Sequence, residues 1–131
     1  MSERFTVEMH DTLPVMMTKF NPDFVFEEDA MAYTIAAKKC LDSQETPVFY
    51  VFDLTMWNVM SFDEIMRAAA QAARGKDSNF HHPMNRATLI VTVDKLVGKS
   101  AEGLTGAAYG NANIKVFQSV EAALAHVRAN L

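Results

Sequence analysis

Cysteine is almost missing from this chain of 131 residues. Cys40 is the only one. No intrachain disulfide can form, and a lone thiol fits a reducing compartment. Runs of lysine or arginine are missing too. The net charge is −4 and the pI about 5.5. Nucleic acid is held by a basic patch or stripe, so this balance argues against it as a partner. Long apolar runs are absent, and nothing approaches the ~18 residues of a membrane span. Met1-Ser2-Glu3-Arg4 lacks the basic region and apolar run of a signal peptide. These absences predict a cytoplasmic protein. No repeat, low-complexity tract or long linker divides the chain, so a single domain over residues 1–131 is expected.

What is present can build a core: 50% of the residues are hydrophobic and 21% charged. The nine methionines fit as adaptable core filler, or as a soft binding surface. The most legible stretch is Pro47–Gly75. Val48 to Phe52 is short, β-branched and aromatic, without polar alternation. Such a run suits a strand buried on both faces of a parallel sheet. It ends in Asp53-Leu54-Thr55. After the loop, Ser61 and Glu64 have capping-box spacing. Phe62, Ile65, Met66, Ala69 and Ala73 share one helical face, and Gly75 fits the end of that helix.

Along the rest of the chain, Arg4–His10 alternates apolar and polar residues, the pattern of a strand with one wet face. His10-Asp11-Thr12 turns into a second strand over Leu13–Phe20, with Pro14 at or near its start. A helix follows, with Glu27, Glu28 and Asp29 in its first turn and Ala30, Tyr33, Thr34, Ala37 and Leu41 at helical spacing. Arg86–Val93 reads as a strand, and Asp94 as the cap of a glycine-containing helix near Lys95–Tyr109. Asn113–Phe117 is the last strand. Ser119 caps a final helix burying Val120, Ala123, Leu124 and Val127. The order β-β-α-β-α-β-α-β-α predicts an α/β fold. Its mixed sheet has about five strands, an N-terminal hairpin followed by parallel βα units, and about four helices.

Ligands of open α/β sheets bind beyond the carboxyl ends of the strands. Those ends offer Asp53, Thr55, Asn58 and Ser61 after one strand, and Thr92, Asp94 and Lys95 after another. The competing reading is that Asp53 and Asp94 brace loops or cap helices. Trp57, with Met56 and Met60, gives the loop after Asp53 an apolar tip that could cover the sheet end, line a pocket or meet a partner. Gly98-Lys99-Ser100 ends like a phosphate loop, but Val93 stands where the motif needs its first glycine. His81-His82 lacks a carboxylate or cysteine at ligand spacing, so no metal is expected, and His82-Pro83 is read as shaping the entry to the next strand. Cys40 shares a stripe with Ala37 and Leu41, which predicts a buried, inert thiol. Gly-x-Ser-x-Gly is absent, and no nucleophile, base and orienting group assemble in the sequence. The expectation is therefore no catalytic residues and no cofactor.

The element order, together with Phe49-Tyr50-Val51-Phe52-Asp53-Leu54-Thr55 and a serine at the next helix start, resembles the STAS domain of the bacterial anti-sigma factor antagonists. Within it, the chain is similar to the SpoIIAA-like group of small stand-alone proteins. The Ile114–Phe117 strand with Ser119, Glu121 and Ala122-Ala123-Leu124 resembles the family's closing strand and helix. The resemblance places Ser61 near the family's regulatory, phosphorylated serine, here between Met60 and Phe62 instead of the family's usual hydroxyl residue and glycine. It implies a non-enzymatic signalling module that binds a protein partner through the Asp53–Ser61 loop and the following helix. The alternative is a carrier of an apolar, lipid-like or anionic small molecule at the strand ends. A homodimer through an exposed edge strand is a further expectation.

Overall fold

A computed structural model describes residues 4–55, 82–93 and 114–131. They form a mixed sheet of five strands in the order β1-β2-β3-β4-β5. The strands are β1 (Phe5–Met9), β2 (Val15–Phe20), β3 (Val48–Asp53), β4 (Asn85–Val91) and β5 (Ile114–Phe117). β1 pairs antiparallel with β2, and every later pairing is parallel. The expected hairpin and parallel array are both present. Among the described residues there are two helices, α1 (Phe26–Asp42) and α2 (Val120–Ala129). The two further helices expected after Ser61 and Asp94 lie outside the described residues.

Local chemistry sets the element boundaries. The second strand begins at Val15 rather than Leu13, one residue beyond Pro14, which has no amide to donate to a ladder. The preceding turn is held by His10, whose Nδ1 accepts from the backbone N–H groups of Thr12 and Leu13, each at 3.1 Å. α1 has no side-chain cap on its own first amides. Instead the Asp29 carboxylate accepts from the Val25 N–H at 2.8 Å, which places negative charge at the positive end of the helix. At its other end, Ser43 Oγ and Gln44 Nε2 both donate to the Cys40 carbonyl, at 2.7 and 2.9 Å. α2 is capped as its sequence predicts: Ser119 Oγ accepts from the Ala122 N–H at 3.1 Å.

Strand alternation sorts the core into two layers. Met16, Phe20, Val48, Tyr50, Ile90 and Ile114 belong to one buried cluster with Tyr33, Ala37 and Leu41 of α1. Val15, Phe49, Val51, Leu89 and Val91 belong to the other, with Ala123 and Val127 of α2. β3 contributes to both, which explains why its sequence shows no polar alternation. The α1 layer is unusually aromatic: the Phe20 ring lies 4.7 Å from both Phe24 and Tyr33 and 4.9 Å from Phe52. Three hydroxyls are buried inside it. Thr18 Oγ1 donates to the Val51 carbonyl at 2.8 Å, Tyr33 donates to Thr18 at 3.2 Å, and the Tyr33 and Tyr50 hydroxyls are hydrogen-bonded to each other. Burial pushes the Tyr50 phenol far up, against a smaller opposing effect of its bond to Thr18. Cys40 is only partly buried, a correction to the buried thiol expected. Burial nonetheless raises its pKa and lowers its reactivity.

Both helices run against the parallel strands. α1 starts beside Arg4, which bonds Glu28 at 3.1 Å and Asp29 at 3.5 Å. It ends beside His82, just ahead of β4, where Asp42 Oδ1 meets His82 Nε2 at 2.6 Å. α2 starts after β5, and its C-terminal end is tied to the start of β4 by Arg86, which donates to the Asn130 carbonyl at 2.6 Å. The carboxyl ends of β2 to β5 are thereby gathered at one end of the sheet.

Candidate functional site at the carboxyl ends of the strands

Asp53 closes the central strand and is 7% exposed. One of its carboxylate oxygens accepts from both the Thr55 N–H at 2.9 Å and the Thr55 hydroxyl at 2.6 Å. An aspartate bonding the backbone two residues on is an Asx-turn, a local substitute for the ladder that ends there. Asp53 thus does what the loop-bracing reading expected, and Thr55 is its direct partner. The neighbouring backbone is fixed as well. Leu54 N–H donates to the Val91 carbonyl at 2.9 Å, and Thr92 N–H to the Phe117 carbonyl at 2.9 Å. These bonds carry the parallel ladder past the strand ends. They pin Asp53-Leu54-Thr55 beside Thr92-Val93 and the end of β5.

Thr92 is buried and Val93 is exposed. The edge therefore presents a braced polar turn next to an open apolar side chain. Lys19 adds a cation that sequence reading missed: the parallel register of β2 on β3 sets it opposite Asp53, on the same face of the sheet. Only the strand register, which joins positions far apart in the chain, reveals that neighbour. The sites expected at Trp57, Asn58, Ser61 and Asp94 lie outside the described residues, as do Gly98-Lys99-Ser100 and His81.

The described histidines are placed elsewhere. His10 holds the β1–β2 turn. His82 braces the entry to β4: its Nδ1 accepts from the Met84 N–H at 3.0 Å, and its carbonyl accepts from Asn85 N–H at 2.9 Å. That is the role expected for His82-Pro83. Because Nδ1 is an acceptor, neutral His82 carries its proton on Nε2, which donates to Asp42. This bond, followed by that from Lys38, holds the Asp42 carboxyl below its ordinary value. His126 packs against the Phe49 and Phe117 rings, at 6.3 and 5.3 Å. Among the described residues no three His, Cys, Asp or Glu side chains gather as a metal site, and no helix is long and apolar enough to cross a membrane.

The arrangement suits recognition. Asp53 is committed to its own turn, so its carboxylate shapes a surface, and Lys19, Thr55 and Val93 supply charge, hydroxyl and apolar contact beside it. No family model, curated protein or solved structure matches the chain.

Proposed function

We propose that this chain is a STAS-like, non-enzymatic binding or regulatory module of the cytoplasm, acting on a protein partner through the Asp53–Ser61 loop and the helix after it. The observation that carries this reading is the Asp53 turn. It ends the central strand of a hairpin-then-parallel sheet and fixes Thr55, the last described residue before the loop, at the carboxyl ends of the strands through two bonds. Rigid turns that present a following loop are the usual setting for recognition. In this reading a phosphate on Ser61 would switch the surface by adding about −1.5 to −2 charges beside the partner contact. The STAS-like reading also assigns the two further helices to the segments after Ser61 and Asp94.

Capture of partners from a native lysate, with the chain as bait, tests the proposal. The partner should be lost when Asp63 and Glu64 are reversed to lysine. A partner that stays bound to both variants refutes the surface. A bound small molecule in place of a protein would transfer the site to the carrier reading. The strand ends are the place to look for that ligand, because the rings of Phe20, Tyr33, Tyr50 and Phe52 pack against one another beneath α1.

A further inference from the structure

We infer that two copies of this chain join through β1 into one continuous sheet running across the five described strands of each copy, by antiparallel pairing about a two-fold axis at Val7. Which backbone groups are open follows from the β1–β2 ladder. Asn21 N–H donates to the Arg4 carbonyl at 2.9 Å, and His10 N–H to the Val15 carbonyl at 2.8 Å. In an antiparallel ladder, hydrogen-bonded and non-hydrogen-bonded pairs alternate. With the observed register, Arg4, Thr6, Glu8 and His10 bond to β2. Phe5, Val7 and Met9 then aim their N–H and C=O groups away from β2, at an edge that no other described strand covers.

A two-fold axis at Val7 sets Val7 opposite Val7, and Phe5 opposite Met9 of the second copy. Each of those pairs is a hydrogen-bonded one, so every outward group of the strand is satisfied. On the other face Thr6 meets Glu8 of the second copy, which avoids like charges directly opposite each other. The two edges of the sheet differ in their protection. β5 is short and carries Lys115, both common ways to blunt an edge. β1 has neither lysine nor proline.

The helix above this edge is self-complementary as well. Glu28, Asp29, Ala32, Ala36 and Lys39 lie along one flank of α1 by their spacing. Arg4, at the start of β1, bonds the first two of them, so this flank overhangs β1. It reads acidic at one end, small in the middle and basic at the other. α1 runs parallel to β1, so the two-fold axis makes the two α1 helices antiparallel. The acidic end of each then faces Lys39 of the second copy, and the alanines leave room for close approach. Arg4 offsets one of the two acidic charges, and the remaining one at each end, set against Lys39 of the second copy, favours a second copy of the chain over an unrelated strand.

Sedimentation equilibrium should give twice the 14.6 kDa chain mass, with the dimer lost in Val7→Pro. That substitution removes the central outward N–H and leaves the bonds to β2 intact. Lys39→Glu, which sets acid against acid, should shift dimerisation to higher protein concentration. If Val7→Pro fails to fold by circular dichroism, hydrogen exchange on the unaltered protein decides: the Phe5, Val7 and Met9 amides should be protected when concentrated and exposed on dilution. A chain mass that stays single up to millimolar concentration overturns the inference. So does a dimer that survives a folded Val7→Pro, or fast exchange of those amides at every concentration.

Discussion

Replacing Thr18 with valine removes one hydroxyl from the most apolar layer of the protein, and its effect follows from three hydrogen bonds. Thr18 is 1% exposed. Its Oγ1 donates to the Val51 carbonyl at 2.8 Å and accepts from Tyr33 at 3.2 Å. Valine fills nearly the same space, so no cavity opens, and the added methyl returns up to about 0.8 kcal/mol of apolar burial. Against that stand the lost bonds to Val51 and Tyr33, the lost contact with Tyr50, and a buried acceptor with less satisfaction, at about 1–3 kcal/mol. Tyr33 keeps Tyr50 as a partner, which limits the damage on that side. The net expectation is a loss of about 1–2 kcal/mol, read as a lower urea midpoint with an unchanged slope. The double-mutant cycle with Tyr33→Phe sharpens the test. Because the two hydroxyls share a bond, the double variant should lose less than the sum of the singles, by at least about 0.5 kcal/mol. A Thr18→Val protein as stable as the original, or strict additivity in the cycle, would refute the role given to this network.

Burial raises the folded-state pKa of Tyr50 above the ordinary phenol value of 10.0, so the folded protein holds the proton more tightly than the unfolded chain. Its contribution is complete below that ordinary value and is lost as pH rises above it. Denaturant midpoints should fall in alkali above about pH 10, and less so in Tyr50→Phe. At the other end of α1, the bond from His82, then that from Lys38, lowers the Asp42 pKa from 3.8. The stabilisation this gives is present above that value and is lost as pH falls through the depressed one. A carbon-detected NMR titration should show the Asp42 carboxyl moving back toward its ordinary value in His82→Ala. Ser119→Ala removes the α2 cap seen at 3.1 Å and should cost about 1 kcal/mol in a denaturant titration. Leu41→Ala, at a fully buried α1 position, should cost about 2–5 kcal/mol in the same assay.

Much of the architecture was legible because it depends on local pattern. The all-apolar run at Val48–Phe52 announced a strand buried on two faces, and β3 does pack into both core layers. Ser119 announced a cap, and Pro14 announced the start of β2. The rest depends on register and on contacts between distant positions. The shift between Val48 and Phe49 on β4, the placement of Lys19 beside Asp53, and the bond from His82 to Asp42, 40 positions away, leave no periodic trace. The hydroxyl network left a weak one: Thr18 occupies a sheet-face position between Met16 and Phe20 where an apolar residue fits the pattern. At the candidate site, the Asp53–Thr55 brace was readable from residue type and spacing. The ladder bonds that aim it, from Leu54 and Thr92, became visible only with the strands paired.

The most direct test of the account is site-specific photo-crosslinking in the native host, with the photoreactive residue at position 55 or at position 128. Thr55 is exposed at the carboxyl edge, and Arg128 is exposed near the C-terminal end of α2, at the opposite end of the sheet. A discrete protein adduct is expected from position 55 and none from position 128. An adduct from position 128 alone, or none from position 55, would contradict it.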